Sequence, residues 1–264
     1  MKPYLHPAFL VLPILICAGT WQMADAQSSH PTIPETRAAA STEEIVVNLE
    51  RRNLERAQAL AAYQGTRTYR LDYHGFPGNR AAEMVVDVSF KSNGAKSATK
   101  EFTVRSETGS KLVIDRVFKK MLQSEKESVT EENQRGVALN RDNYNFNLVG
   151  QEKTPAGGSV YILSVEPRTQ NKLLYRGRIW VDASDFAVTR IEGEPAKNPS
   201  FWTKETKIEQ VYMKVGDFWL PQSNRSSSMI RLGGRATFTI DYGNYQITAS
   251  TPLRRPANDV AGFR

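Results

Sequence analysis

Apolar and polar residues change their spacing once along this chain, and the change separates a helical entry from a long β region. Ser41-Thr42-Glu43-Glu44 reads as a capping box, in which Ser41 accepts from the free amides of the first turn and Glu44 reaches back. Val46, Leu49, Ala57, Leu60 and Ala61 then fall near one helical face, predicting a helix to about Tyr63 that Gln64-Gly65 stops. From Thr66 onward the period drops from 3.6 to 2. Met84, Val86, Val88 and Phe90 alternate with Glu83, Val85, Asp87 and Ser89; Phe102 and Val104 alternate with Glu101, Thr103 and Arg105. Tyr144, Phe146 and Leu148 are set against Asn145 and Asn147, and Ala236, Phe238, Ile240 and Tyr242 against Arg235, Thr237, Thr239 and Asp241. Such alternation gives one apolar and one wetted face, as in antiparallel strands.

Short turn signals punctuate the strands: Ser92-Asn93-Gly94, Ala156-Gly157-Gly158, Asp182 to Asp185, Gly216-Asp217 and Gly233-Gly234. About ten strands are predicted, at 66–74, 82–91, 99–107, 144–152, 159–167, 173–182, 186–193, 204–215, 217–228 and 235–247. Several exceed the usual ~5–6 residues, which points to a strongly curved antiparallel sheet or barrel in a mainly β (α+β) protein. One segment interrupts them. Ser110 to Glu127 places Val113, Val117 and Met121 beside Ile114, Phe118 and Leu122 on adjoining helical rows, with Lys119, Lys120, Glu125, Lys126 and Glu127 opposite. It is expected to lie over the sheet as a lid.

A curved sheet under helices is either filled by side chains or kept open for an apolar ligand. The candidate lining is Tyr69, Leu71, Met84, Phe90, Phe102, Phe146, Phe238 and Tyr242, with Tyr73 beside them and the six apolar lid residues above. These residues suit a packed core and a ligand hollow equally, and both readings stand.

Composition narrows the chemistry. Among the 264 residues the single Cys is Cys17, and the three His are His6, His30 and His74. The first 26 residues read as a secretory signal: Lys2 precedes the apolar run from Ala8 to Trp21, and Ala24-Asp25-Ala26 gives the small-x-small pattern a signal peptidase cuts after. That run is 14 residues, shorter than the ~20 that span a bilayer, and Pro13 interrupts it. Export is therefore expected. Removal of the signal leaves no Cys and only two His, excluding a thiol nucleophile, a disulfide scaffold and Cys-rich zinc sites. The expected organisation is a signal peptide at 1–26, a polar, proline-containing lead-in at 27–40, a half-barrel domain at 41–250 and a tail at 251–264.

The stretch from Tyr175 to Asn224 (YRGRIWVDASDFAVTRIEGEPAKNPSFWTKETKIEQVYMKVGDFWLPQSN), continued by GRATFTIDYGNYQI, resembles bacterial outer-membrane lipoprotein-sorting proteins. The upstream runs YQGTRTYRLDYHG and FTVRSETGSKLVIDRVFKKMLQSE are similar too, so the likeness covers most of 41–247. It is a pattern of spaced aromatics and turns rather than a catalytic signature. It implies an unclosed antiparallel β-barrel lidded by helices, whose apolar hollow receives acyl chains, in a periplasmic protein with outer-membrane association. Carriers of that superfamily have a further strand pair bearing a DG-x-x-x-W/Y-type motif after the early strands; here Ser110 to Glu127 follows Gly109 instead. The carriers' functional lid arginine consequently has no assignable position.

Other features read as structural. Trp180, Trp202 and Trp219 suit cross-strand aromatic packing more than a cavity mouth, Asp182 and Asp185 a turn, and His74 a strand end. Glu125, Glu127, Glu131 and Glu132 read as a solvated acidic patch. Ser226-Ser227-Ser228 has no neighbouring His and no G-x-S-x-G elbow exists. The net charge of +7, from 35 Lys+Arg and 28 Asp+Glu, is scattered without a basic block or a nucleic-acid motif. The expectation is a non-enzymatic binding protein with no cofactor, whose partners are acyl chains of a lipid or lipoprotein. An inner- or outer-membrane protein and peripheral membrane contact are further expected partners, and nucleic acid is not. The alternative is an envelope sensor or scaffold with a filled core that binds a protein.

Overall fold

In the computed structural model, which describes residues 40–92, 98–127, 136–198, 203–231 and 233–250, helix α1 (Thr42–Ala59) begins where the capping pattern predicts. The Glu44 N–H donates to Ser41 Oγ at 3.1 Å. The expected signal sequence, the lead-in to residue 39, the tail from 251 and the Asn93-Gly94 turn lie outside the described residues. The helix ends at Ala59, four residues before the expected Tyr63, because strand β1 (Leu60–His74) starts at the next residue. There Leu60 pairs with Ala249 and Ala62 with both Thr248 and Lys91. Gln64-Gly65 is thus not a helix stop but part of a bulge inside β1, where the register against its neighbour shifts between Gln64 and Thr66.

The face α1 buries also differs from the expected one. Ile45, Val46, Leu49, Arg52, Arg56 and Ala59 face inward, whereas Ala57 is only half-buried and Leu60 and Ala61 belong to β1. Two arginines on a buried helical face need partners. Arg52 pairs with Glu55 at 2.7 Å, and Arg56 donates to the Asp185 carbonyl and, at 3.5 Å, to Asn53 Oδ1. Burial and the neighbouring Arg52 charge pull the Arg56 guanidinium down to about 10.

The other strands follow the alternation closely: β2 (Arg80–Ser92), β3 (Ala98–Gly109), β4 (Tyr144–Lys153), β5 (Ser159–Pro167), β6 (Tyr175–Asp182), β7 (Val188–Pro195), β8 (Thr203–Val215), β9 (Phe218–Ile230) and β10 (Arg235–Ala249). They form one ten-stranded antiparallel sheet in the order β3-β2-β1-β10-β9-β8-β7-β6-β5-β4. Neighbours in sequence are neighbours in space, except that β1 and β10 meet, third and fourth from the β3 edge. The two edges, β3 and β4, are consecutive in the chain and do not pair, so the sheet is curved and unclosed.

Both helices lie on the apolar face. α1 covers the β4–β8 half, packing Ile45, Val46 and Leu49 onto Tyr144, Leu163 and Ile179. The second helix, from Lys111 to Glu127, covers the β3-β2-β1-β10 half. It is α-helical over Lys111–Val113, π-helical over Ile114–Phe118 and α-helical again over Lys119–Glu127.

Two glycines face each other on β6 and β7, where the strand backbones approach closely. Gly177, at φ +153°, pairs with Gly193. A Cβ on Gly177 would meet the Glu192 carbonyl oxygen at 2.0 Å, and one on Gly193 the Arg176 carbonyl oxygen at 2.1 Å. Because both obstacles are backbone, neither can swing aside. Gly193→Ala is expected to cost about 2–3 kcal/mol, a fall of roughly 5–10 °C in Tm for a domain of this size, measured by thermal unfolding followed by circular dichroism.

Candidate functional site

The side chains expected to line a hollow converge mainly under the second helix. Its rows face the sheet as the sequence predicts: Val113, Ile114, Val117, Phe118, Met121 and Leu122 are all buried. Beneath them lie Tyr69 and Leu71 of β1, Met84 and Val86 of β2, and Phe238 and Ile240 of β10, with Tyr73, Phe102 and Tyr242 packed against the margin. Phe118 has no exposed surface and fits between the rings of Tyr69 and Phe238, at centroid distances of 6.0 and 6.1 Å. In this closed arrangement the lid's own side chains occupy the space between helix and sheet.

Two candidate residues lie elsewhere. Phe90, near the far end of β2, stacks on Tyr63 at 5.1 Å in a small cluster with Leu60, Phe218 and Leu220. Phe146 packs beside Tyr144 under α1. Alternation assigns a residue to a face of the sheet, but where along a 13-residue strand it meets a helix depends on how that helix lies.

A polar cluster that the sequence reading does not anticipate holds the C-terminal end of the lid. Arg67 of β1 donates through Nη1 to both carboxylate oxygens of Glu125, at 3.0 and 2.9 Å, and contacts the Tyr69 hydroxyl at 3.2 Å. Lys100 of β3 donates to the same carboxylate at 2.8 Å. The Arg67 guanidinium also lies over the Tyr242 ring at 5.0 Å and the Phe102 ring at 5.6 Å. Burial acts to raise the Glu125 pKa, but the Arg67 and Lys100 charges outweigh it and hold the carboxyl at about 2. Burial disfavours the Arg67 cation, and the Glu125 carboxylate more than restores it. Burial pushes the Tyr69 phenol up to about 12.

Glu125 is therefore not part of a solvated acidic patch: it is 6% exposed and points into the sheet. Glu131 and Glu132 lie outside the described residues, as does the Glu127 side chain. Lys119, Lys120 and Lys126 do face solvent. A signal for the latch was present in the pattern. Arg67 shares strand parity with Tyr69, Leu71 and Tyr73, and Glu125 follows Leu122 and Met121 by three and four positions, so both charges sit in register with apolar rows.

The remaining features resolve structurally. Asp182 Oδ1 accepts from the Ser184 and Asp185 N–H groups at 2.9 and 2.8 Å, making a turn. Among the described residues the contacts of Trp180 and Trp219 are polar: Arg190 lies over Trp180 at 5.2 Å and Lys214 by Trp219 at 6.0 Å, and Trp219 Nε1 donates to Asp185 at 3.0 Å. Trp202 lies outside the described residues, and His74 ends β1. On the opposite, polar face of β4–β9 an open groove of about 1030 Å³ runs across the strands over Gly177 and Gly193. Its walls carry four basic residues (Arg176, Arg178, Lys207, Arg225) and four acidic ones (Glu166, Glu192, Glu194, Glu209), a balanced and partly ion-paired surface.

No protein-family model matches the chain, and no curated protein matches it. Solved structures do. A DUF1329 family protein from Desulfovibrio piger is similar at 13% identity and a TM-score of 0.40, covering 81% of this chain and 96% of its own. A LolA superfamily protein from Nitrosomonas europaea is similar at 11% identity and a TM-score of 0.37, covering 81% and 96%. A domain from Vibrio parahaemolyticus, described as an outer membrane lipoprotein-sorting protein, is similar at 12% identity and a TM-score of 0.38, covering 79% and 95%. These are distant likenesses, each with a TM-score of 0.40 or less.

Proposed function

We propose that this chain is an exported, periplasmic binding protein that receives acyl chains of a lipid or lipoprotein beneath its second helix, in lipoprotein sorting or lipid transport, without catalysis or a cofactor. The observation that carries this reading is a helix whose buried face is apolar but for one residue, laid on an apolar sheet and fastened at its end by one buried ion-pair cluster. Burying the six lid side chains contributes on the order of 10 kcal/mol at roughly 1.5–3 kcal/mol each. A long acyl chain contributes a similar amount at about 0.8 kcal/mol per CH₂. An acyl chain can thus replace the lid's side chains on the sheet at little net cost.

The latch supports an opening helix. A buried ion pair holds a helix no better than apolar side chains of the same volume would, so its use here suits a contact that is made and broken. The π-helical turn at Ile114–Phe118 supports the same reading, since such turns are rare and recur at functional positions.

The test is native mass spectrometry of the protein purified from the periplasm without detergent, with solvent extraction in parallel. A stoichiometric mass excess that extracts as phospholipid or acylated peptide is the expected result. A bare mass that stays bare after incubation with lipid and with lipopeptide would overturn the reading. It would leave the filled-core scaffold, to be pursued by pull-down of a protein partner.

A further inference from the structure

The apolar face of the sheet is divided by a polar strip. Across one row of paired residues, Ile240 of β10 is followed by Asn224 of β9, Gln210 of β8 and Ile191 of β7; across the next, Phe238 is followed by Ser226, Ile208 and Gly193. Asn224, Gln210 and Ser226 therefore point to the same side as the two apolar clusters and lie between them. They are buried, at 7, 4 and 8% exposure. A β-strand interior with apolar neighbours on both sides would ordinarily be filled by Val, Ile or Leu.

The hydrogen-bonding capacity of this strip is only partly used. Thr206 and Ser228 satisfy each other at 2.8 Å. Asn224 Nδ2 reaches Gln210 Oε1 only at 3.5 Å. The Ser226 hydroxyl makes no hydrogen bond among the described residues. The three side chains carry no formal charge, and a hydroxyl with no protein partner is free to donate to a ligand. Next along the Ser226 row, past Ile208, Gly193 and Gly177 contribute no side chain to that face.

Resting on the acyl-binding reading above, we infer that Gln210, Asn224 and Ser226 form a subsite for an uncharged carbonyl-bearing linkage, ester or amide, that joins the acyl chains of the ligand. The Ser226 O–H and the side-chain amides donate to the linkage oxygens, while the chains run onto the apolar surface on either side. A charged headgroup finds no counter-ion in the strip and stays outside.

The test compares dioleoylglycerol with its diether analogue, which has the same chains and no carbonyls, by detergent-free competition read by native mass spectrometry. Wild-type protein is expected to prefer the ester about tenfold, the effect of two ordinary hydrogen bonds. Gln210→Leu/Ser226→Ala is expected to lose that preference and keep its affinity for the ether. Uptake of both lipids with equal affinity by wild-type protein would overturn the subsite and leave acyl binding intact. Uptake of neither would overturn both. Because the ester and ether are compared on the wild-type protein, the result stands even if the double variant does not fold.

Discussion

Glu125→Leu is expected to release the C-terminal end of the lid and destabilise the protein by about 3–5 kcal/mol, because it strands the Arg67 cation inside the sheet. Lys100 sits nearer the surface, its side chain 12% exposed against 8% for Arg67, and can turn outward when the carboxylate is gone. Arg67 cannot: it is enclosed by Phe102, Tyr242, Tyr69 and the helix. The fall should appear as a drop of roughly 10 °C in Tm and as faster amide exchange confined to the Lys111–Glu127 helix. Arg67→Met combined with Glu125→Leu removes both charges and should recover the loss, with slower lid exchange than wild type. Wild-type exchange in Glu125→Leu would show that the ion pair does not fasten the helix.

The same pair gives a signed dependence on pH. The Glu125 carboxyl falls from its ordinary 4.5 to about 2 in the folded protein. A depressed acid contributes fully above its unfolded value, and that contribution is lost as pH falls from about 4.5 toward 2. Lid exchange should therefore quicken through that window in wild type. In Glu125→Gln, which has no group to titrate there, the same window should be flat.

Phe118→Ala is the second large effect, with an expected loss of about 3–5 kcal/mol. Phe118 is wholly buried, and its ring is held by Tyr69 and Phe238, which touch each other at a centroid distance of 6.4 Å. The backbone of a ten-stranded sheet has little freedom to collapse into the void. Urea unfolding should show a lower midpoint with an unchanged slope. On the acyl-binding reading, the same variant should take up lipid more readily, since the ligand no longer displaces that ring. A charged residue at Phe118 or Met121 is a poorer probe of uptake, because both positions belong to the core that holds the lid down.

What local pattern can carry was legible. All ten strands fall within a few residues of the expected positions at their C-terminal ends, and the lid rows are the buried rows. Alternation is enforced by the sheet itself, since each side chain must go to one face or the other, and turns need residues that tolerate their backbone angles. The start of β1 was not legible. Leu60 to Gln64 continue a helical pattern, and they become strand because β10 and β2, far away in sequence, offer them hydrogen bonds. Parity placed Arg67 and Glu125 on apolar rows, but that they pair, and that the polar strip lies between two clusters, was not legible, for the same reason. A charge or a serine on an apolar row looks like an interruption until the partner 58 residues away, or the apolar clusters on either side, are in place.

Residue order alone was enough for most of the secondary structure, the apolar face of each strand and the amphipathic lid, because these depend on interactions within a few residues. Three outcomes needed the folded chain: the sheet stays open between β3 and β4, Glu125 is buried as a latch, and Phe118 fills the space beneath the helix. They rest on contacts between residues distant in the chain, whose strength depends on burial and on a partner's charge, and neither is encoded in local periodicity.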